Sequence, residues 1–364
     1  MNAVLHVLLP ARAKFAHVPA FAQWLARGTT LPATSPGYLA AMAEHFRWPE
    51  GPLPAAALIR QSVAGDAGDA LWISADPAWV QPELNGARLL AYGNLGLTVA
   101  ESAAFVQALQ DTFADAGMQL HVGDPQHWQL RLPDGIDVPV FPEPEEALGA
   151  DLFEQLPQGD DGRRWRALIN EAQVVLHNDP ANRTRAAEGL PPVNSVWLWG
   201  PGRLPEYVES GLTAIYSDDL LAWALGHRAN VDVHARSAFD TASPDTAAPA
   251  ATASVGARPA RDSSSRQPAH RAQGALLQGA AHGHVPDAHG DVRGPRSRVQ
   301  DTRKENSPYT LLDLQDTQPT DFESSWWPAI EARLTAGTEL RLSFADGSRT
   351  VIRKSHRLRF WRKP

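Results

Sequence analysis

EAQVVLHNDPANRTRAAEGLPPVNSVWLWGPGR, from Glu171 to Arg203, is the stretch on which the reading of this chain turns. It predicts a helix, then a polar loop rich in Arg and Asn, then an apolar strand over Val193–Trp199 stopped by Gly-Pro-Gly. Helix, loop and buried strand in that order belong to an α/β fold, where loops at strand ends converge on ligands. Arg and Asn donors suit a phosphate or carboxylate, and glycines let the backbone approach a ligand closely. His177, Asn182, Arg185, Asn194, Gly200 and Gly202 are therefore candidate ligand-binding residues for a small anionic metabolite. The competing reading is a structural loop whose Asn side chains satisfy backbone groups while its Arg residues, Arg183 among them, are solvated.

Working toward the N-terminus, Asp160–Leu176 carries Trp165, Leu168, Ile169, Ala172 and Val175 at helical spacing. Asp137–Pro157 is Pro- and Glu-rich and reads as an irregular connection. Met118–Val122 and His127–Leu132 read as paired strands around Gly123-Asp124-Pro125. Thr98 with Glu101 forms a capping-box pattern opening a helix that ends at Gly117. Gly86–Tyr92 is a strand, and so is Ala70–Ala75, which ends at Asp76-Pro77. Asp76 joins the candidates as a carboxylate at a strand end, although Asp-Pro after a strand is chiefly a turn signal. Leu53–Val63, Pro36–Trp48 and Pro19–Arg27 read as helices, the last two with Pro at the start. Ala3–Leu9 is a buried strand.

Toward the C-terminus, Thr213–Tyr216 is a short strand and Ser217 a cap for a helix over Asp218–Leu225. From about His227 to Asn306 the chain turns to Ala, Pro, Ser, Arg, His and Gly, with Phe239 as its single aromatic and no Ile. Such a segment cannot bury enough apolar area to offset its ordering entropy, so disorder is one reading. Translation out of frame is the other, because folded character returns abruptly at Tyr309. His282, His284 and His289 with Asp287 and Asp291 have metal-like spacing there, but nothing fixes their geometry. Tyr309–Leu314 is a strand, Asp321 caps a helix ending at Gly337, and Glu339–Phe344 with Thr350–Arg353 makes a hairpin around Asp346-Gly347. The tail HRLRFWRKP reads as an edge strand protected by its charges, in preference to a nucleic-acid contact through Phe360 and Trp361. The expected architecture is α/β, a mixed sheet with flanking helices. Residues 1–226 and 307–364 form the folded parts, and 227–306 interrupts them.

Composition narrows the function classes. The formal charge of −8 gives no global attraction to nucleic acid or anionic membrane. No apolar run approaches the length of a membrane span, and the N-terminus lacks the basic region of a signal peptide, so a cytoplasmic protein is expected. Without Cys there is no disulfide, thiol nucleophile or thiolate metal site. No phosphate-binding glycine loop, zinc framework or nucleophile elbow is visible, so neither a cofactor nor a protein-held metal is expected.

Pro180-x-Asn182-x2-Arg185-x3-Gly189-x2-Pro192-x-Asn194, followed by Trp197-x-Trp199-Gly200-x-Gly202, resembles a stretch of the archaeal-type cofactor-independent phosphoglycerate mutases. GLTAIYSDDLLAWALG, Gly211–Gly226, resembles the adjoining segment of those enzymes. More of the chain resembles the bacterial RpfE-type regulators of pathogenicity factors, through ADPAW at Ala75–Trp79, GLTVAESAAFVQAL at Gly96–Leu109, HWQLRLP at His127–Pro133 and the RFWRKP ending. The mutase resemblance implies a two-metal cluster of Asp and His residues, begun by an Asp-Gly pair after the first strand, and a Ser nucleophile. Here the first strand runs into Leu9-Pro10-Ala11-Arg12, and Asp179 stands where the mutase pattern has His. The expectation is thus a non-catalytic regulatory protein of RpfE type with an anion pocket, the alternative a divergent metal-dependent mutase-like phosphotransferase.

Overall fold

The structure is a computed structural model that describes residues 3–49, 51–84, 86–239, 309–359, 361 and 362. The His282–Asp291 cluster, Phe360 and residues 240–306 of the stretch read as disordered or out of frame lie outside the described residues. Along the chain come β1 (Val4–Leu9), α1 (Pro19–Arg27), β2 (Thr29–Leu31), α2 (Tyr38–Ala43), β3 (Phe46–Arg47) and α3 (Ala55–Ala64). After these stand β4 (Leu71–Glu83), β5 (Gly86–Tyr92), α4 (Val99–Asp115), β6 (Gln119–Val122) and β7 (Trp128–Leu132). Short helices α5 (Pro144–Ala147) and α6 (Leu152–Gln155) lead to α7 (Gly159–Asn178), α8 (Pro180–Ala187), β8 (Ser195–Gly202) and β9 (Glu209–Ser210). Next are β10 (Ala214–Tyr216), α9 (Leu220–Arg228), β11 (Asp232–His234) and β12 (Tyr309–Asp313). Last come α10 (Pro319–Asp321), α11 (Trp327–Ala336), β13 (Glu339–Phe344) and β14 (Arg349–Ile352).

Two main sheets organise these elements, as the α/β reading requires. The first has strand order β11-β10-β12-β1-β13-β14-β2, parallel from β11 to β13 and antiparallel beyond. Its two faces are both covered, as expected for a parallel sheet. Leu8, Ile215 and Leu311 pack with α3, α9 and the second sheet. Leu5, Val7, Leu9 and Leu312 pack on the other face with α1 and α11. There Phe15, Phe21 and Phe322 meet at ring separations of 4.7–5.4 Å. Burying each such side chain stabilises the fold by about 1.5–3 kcal/mol. The second sheet is antiparallel, in the order β5-β4-β7-β6 with β8 also paired to β4.

Several local expectations are corrected. β4 does not stop at Ala75 but runs through Asp76-Pro77 to Glu83, and Pro77 sits in register with Val196 of β8. β8 likewise passes through Gly200-Pro201-Gly202. The polar loop holds a helix of its own, α8, because Asp179 accepts from Ala181 N at 2.8 Å and Pro180 fills its first position. The helix predicted over Pro36–Trp48 is only α2, followed by the short strand β3. Asp219, not Ser217, caps α9. Folded structure continues past His227, through β11 to Phe239, which is buried beneath the Arg333 guanidinium. Toward the tail, Lys354–Leu358 form a 3-10 turn, and the described residues that follow form no edge strand. Arg359 and Arg362 donate to the carbonyls of Arg27 and Gly28 at the carboxyl end of α1, which satisfies groups that a helix terminus leaves open. Among the described residues no helix is long and apolar enough to cross a membrane.

Candidate functional site

The focal stretch is tied into the protein through the side chains of Asn182, Arg185 and Asn194. Asn182 donates to the carbonyls of Leu176 and Val193, each at 2.7 Å, and accepts from Val193 N at 2.9 Å. Arg185 is fully buried; its guanidinium donates to the carbonyls of Pro191 (2.9 Å) and Leu95 (2.5 Å) and to Glu101 (2.9 Å). Burial works against the Glu101 anion, but bonds from Thr98 and Arg185 outweigh it and lower its pKa. Asn194 accepts from Val80 N and donates to Val80 O, both at 2.8 Å, at the point where the β4–β5 register shifts. A Cβ on Gly200 would stand 2.7 Å from Ala55 Cβ, and one on Gly202 would stand 2.4 Å from Pro54 Cβ. These glycines therefore admit the start of α3 against β8. His177 and Arg183 lie exposed on the helices α7 and α8. Asn182, Arg185 and Asn194 are thus gathered around the root of α8, while Asp76 belongs to another place.

That place is the carboxyl edge of the first sheet. After β10 the chain turns to α9 on one face, and after β12 it turns to α11 on the other. Adjacent parallel strands whose connections leave on opposite faces open a crevice between them, the usual ligand position in such sheets. Asp313, the last residue of β12, is buried in this crevice. Its carboxylate accepts from Ser217 Oγ at 2.6 Å and from Tyr38 OH at 3.1 Å, while Gln315 N donates to its other oxygen at 3.3 Å. Burial and the neighbouring Asp219 push Asp313 up to about 6, against the pull of Ser217 and Arg236. The Glu145 carboxylate accepts from Tyr38 N at 3.1 Å. Although the residue is exposed at the surface, partial desolvation of its carboxylate, with Glu143, Asp219 and Asp313 nearby, pushes it up to about 7. Arg236 stands at the rim, paired with Asp316 at 2.7 Å and Asp218 at 3.8 Å.

The second sheet supplies the facing wall. One of its faces is apolar, with Ile73, Ala75, Leu120, Trp128 and Leu130 in the core. The other carries a polar row, because cross-strand partners point the same way: His121, Gln129 and Ser74 are in register. The next partner along β4 on that face is Asp76, fully buried. Asp76 accepts from Trp199 Nε1 at 2.6 Å and lies 3.5 Å from His127 Nδ1. Burial disfavours the imidazolium, yet Asp76, Asp124 and Asp219 outweigh it and push His127 up to about 9. Tyr92, pushed well above its ordinary value by burial first and then by Glu145, Asp76 and Asp219, completes the junction. Sequence reasoning named Asp76 and missed the rest. The one signal available was the strand-end rule, which picks out Asp313 at the end of YTLLD as readily as Asp76.

Chemically, this cleft combines carboxyl groups that change protonation near neutrality with one imidazolium, the equipment of acid–base or polar-ligand work. A metal pair of the kind the mutase resemblance implies does not fit it. Among the described residues no group of three His, Asp or Glu is placed to hold a metal ion, and β1 delivers Pro10, Ala11 and Arg12 to this edge instead of a carboxylate.

No protein-family model matches the chain. It is 32% identical over 143 residues to a probable 2,3-bisphosphoglycerate-independent phosphoglycerate mutase of Geobacter sulfurreducens, covering 38% of this chain and 36% of that one. It is 39% identical over 64 residues to the 2,3-bisphosphoglycerate-independent phosphoglycerate mutase of Methanosarcina mazei, covering 18% of this chain and 16% of that one. Among solved structures, the cofactor-independent phosphoglycerate mutase of Thermoplasma acidophilum aligns over 97% of this chain and 89% of its own at 13% identity, with a TM-score of 0.34. The PH0037 protein of Pyrococcus horikoshii aligns over 65% of this chain and 62% of its own at 12% identity, with a TM-score of 0.31. The RpfE-type resemblance draws no support from these relatives. The chain matches about a third of the length of the first of these enzymes, and over that part it is similar to the cofactor-independent phosphoglycerate mutases.

Proposed function

We propose that this chain is a phosphoglycerate mutase-like protein that takes a small phosphorylated carboxylate in the cleft between β10 and β12. Phosphoglycerate, the substrate in its relatives' names, is the first candidate. The observation that carries this reading is the sequence similarity to mutases in a chain whose sheet also opens a crevice lined by Asp313, Ser217, Tyr38 and Glu145. The side chains divide the work. Ser217 and Tyr38 hold the Asp313 carboxylate toward the crevice, and the raised carboxyl groups give and accept protons near pH 7. Calorimetric titration of the full chain with 3-phosphoglycerate, alongside an assay for its conversion to 2-phosphoglycerate with added Mn²⁺, tests the reading. Binding that Asp313→Asn weakens supports it; no heat and no stabilisation with any phosphate ester overturns it.

A second reading is a non-catalytic protein that binds the metabolite without converting it. It differs in outcome. The metabolite then binds and stabilises the protein, and no turnover accompanies it at any metal concentration.

A further inference from the structure

Histidines that face a reacting or bound anion are commonly fixed through one ring nitrogen so that the other is aimed. His127 is placed comparably, with Nδ1 turned to a buried carboxylate. The turn Gly123–His127 is closed by Gly123 N to His127 O at 3.0 Å, and Asp124 Oδ1 accepts from His127 N at 2.9 Å. This holds the residue's backbone just before β7. Its Nδ1 is buried and lies 3.5 Å from Asp76 Oδ1, an ion-pair distance without a hydrogen bond, and Asp76 is itself held by the Trp199 indole at 2.6 Å. A fully buried carboxylate anchored on a Trp in the neighbouring strand is a rigid support, and it fixes which nitrogen remains free. Nε2 reaches accessible surface and has no hydrogen-bond partner among the described residues.

The charges around it give that nitrogen its significance. Asp76, Asp219, Asp313, Glu143 and Glu145 all act electrostatically at this junction and repel an anion. The guanidinium at the rim, Arg236, is bonded to Asp316 at 2.7 Å and faces Asp218 at 3.8 Å, with its Nε buried and without a hydrogen bond. Arg185 is buried elsewhere with three partners. Unlike the buried Nε of Arg236, the free Nε2 of His127 is open to an incoming negative group.

Resting on the proposed function, we infer that His127, aimed by Asp76 and Trp199, binds the anionic phosphate or carboxylate group of the ligand through Nε2. Asp76 and Trp199 act as positioning residues, setting the ring's orientation and keeping its charge.

The test uses the full chain and two probes, inorganic phosphate and 3-phosphoglycerate, with wild type, His127→Gln and His127→Lys at pH 7. Calorimetry should show affinity for 3-phosphoglycerate falling about tenfold or more in His127→Gln and returning to within a few-fold in His127→Lys, since a charge-assisted bond is lost and then replaced. In the wild type, addition of phosphate should move the Nε2 signal of His127 in long-range nitrogen–proton spectra, a change that a purely structural histidine would not show. Unchanged affinity in His127→Gln overturns the inference while leaving the proposed function standing. Equal weakening in both variants, with near-ultraviolet circular dichroism intact, also overturns it, because the ring would then matter for its shape and not its charge. If the wild type binds neither probe, the proposed function fails and this inference with it.

Discussion

The side-chain amide of Asn194 forms a complete ladder rung with the backbone of Val80, accepting from its N–H and donating to its C=O, both at 2.8 Å. A side chain thus stands in for a strand where the β4–β5 register slips by one residue. Asn194→Ala leaves two backbone groups without partners at a part-buried position. Each such loss costs about 1–3 kcal/mol, so a drop of about 2 kcal/mol or more in urea unfolding is expected. A change under about 0.5 kcal/mol would show that water replaces the amide without penalty.

Arg185 makes three side-chain hydrogen bonds and is fully buried. Removing one partner of a buried ion pair costs about 3–5 kcal/mol. Arg185→Ala is expected to lower the unfolding free energy by that order. Arg185→Lys should recover only part of it, since an ammonium cannot reach three acceptors set in a fork. Denaturant midpoints of the two variants check the difference.

Asp313 and Glu145 give stability an unusual pH dependence. Both carboxyl groups hold their protons more tightly in the folded chain than in the unfolded one. Their contribution is therefore complete below the unfolded carboxylate range and is lost as pH rises through about 6 for Asp313 and about 7 for Glu145. Glu101, Asp346 and Glu339, held low chiefly by bonds that outweigh their burial, act in the opposite sense and lose stability as pH falls. Asp313→Asn removes one proton-linked group, worth on the order of 3 kcal/mol across its shift. The melting temperature of Asp313→Asn relative to wild type should rise between about pH 4.5 and about pH 6.5 and level off above. A constant difference over that range would contradict the raised pKa.

Gly200 adopts φ +58°, and its missing Cβ makes room for Ala55. Gly200→Ala combines left-handed backbone strain with overpacking, about 1–3 kcal/mol from each source at most. Adding Ala55→Gly removes the steric part and leaves the backbone part. A double-mutant cycle in thermal unfolding should give a favourable coupling between the two changes. Strict additivity would mean that β8 and α3 move apart to absorb the methyl group.

Regular periodicity and cap chemistry were legible in the sequence. Pro19–Arg27, the Thr98–Glu101 capping box and the Asp346-Gly347 hairpin all stand where residue spacing places them. What escaped were elements whose local signals point the wrong way. Asp76-Pro77 and Gly200-Pro201-Gly202 read as turns, yet pairing between β4 and β8 carries both through as strand. The candidate cleft was hardly legible at all. Tyr38, His127, Glu145, Ser217 and Asp313 come from five separate segments, and each reads locally as a cap, a turn or an ordinary polar residue. Only the return of β12 beside β10 brings them together.

The position of β1 has a consequence for how the molecule is made. Val4 faces Tyr309 on one side and Glu339 on the other, so β1 is flanked by strands that are synthesised only after residue 308. β4, β5, β6, β7 and β8 find all their partners among themselves and can pair long before then. During synthesis the antiparallel sheet is thus available as a folding nucleus, while VLHVLL waits as an unpaired apolar segment with both edges open. Such segments attract other chains. Ribosome-bound chains arrested before residue 309 should therefore need a chaperone that masks β1, and release of that chaperone should coincide with the emergence of β13.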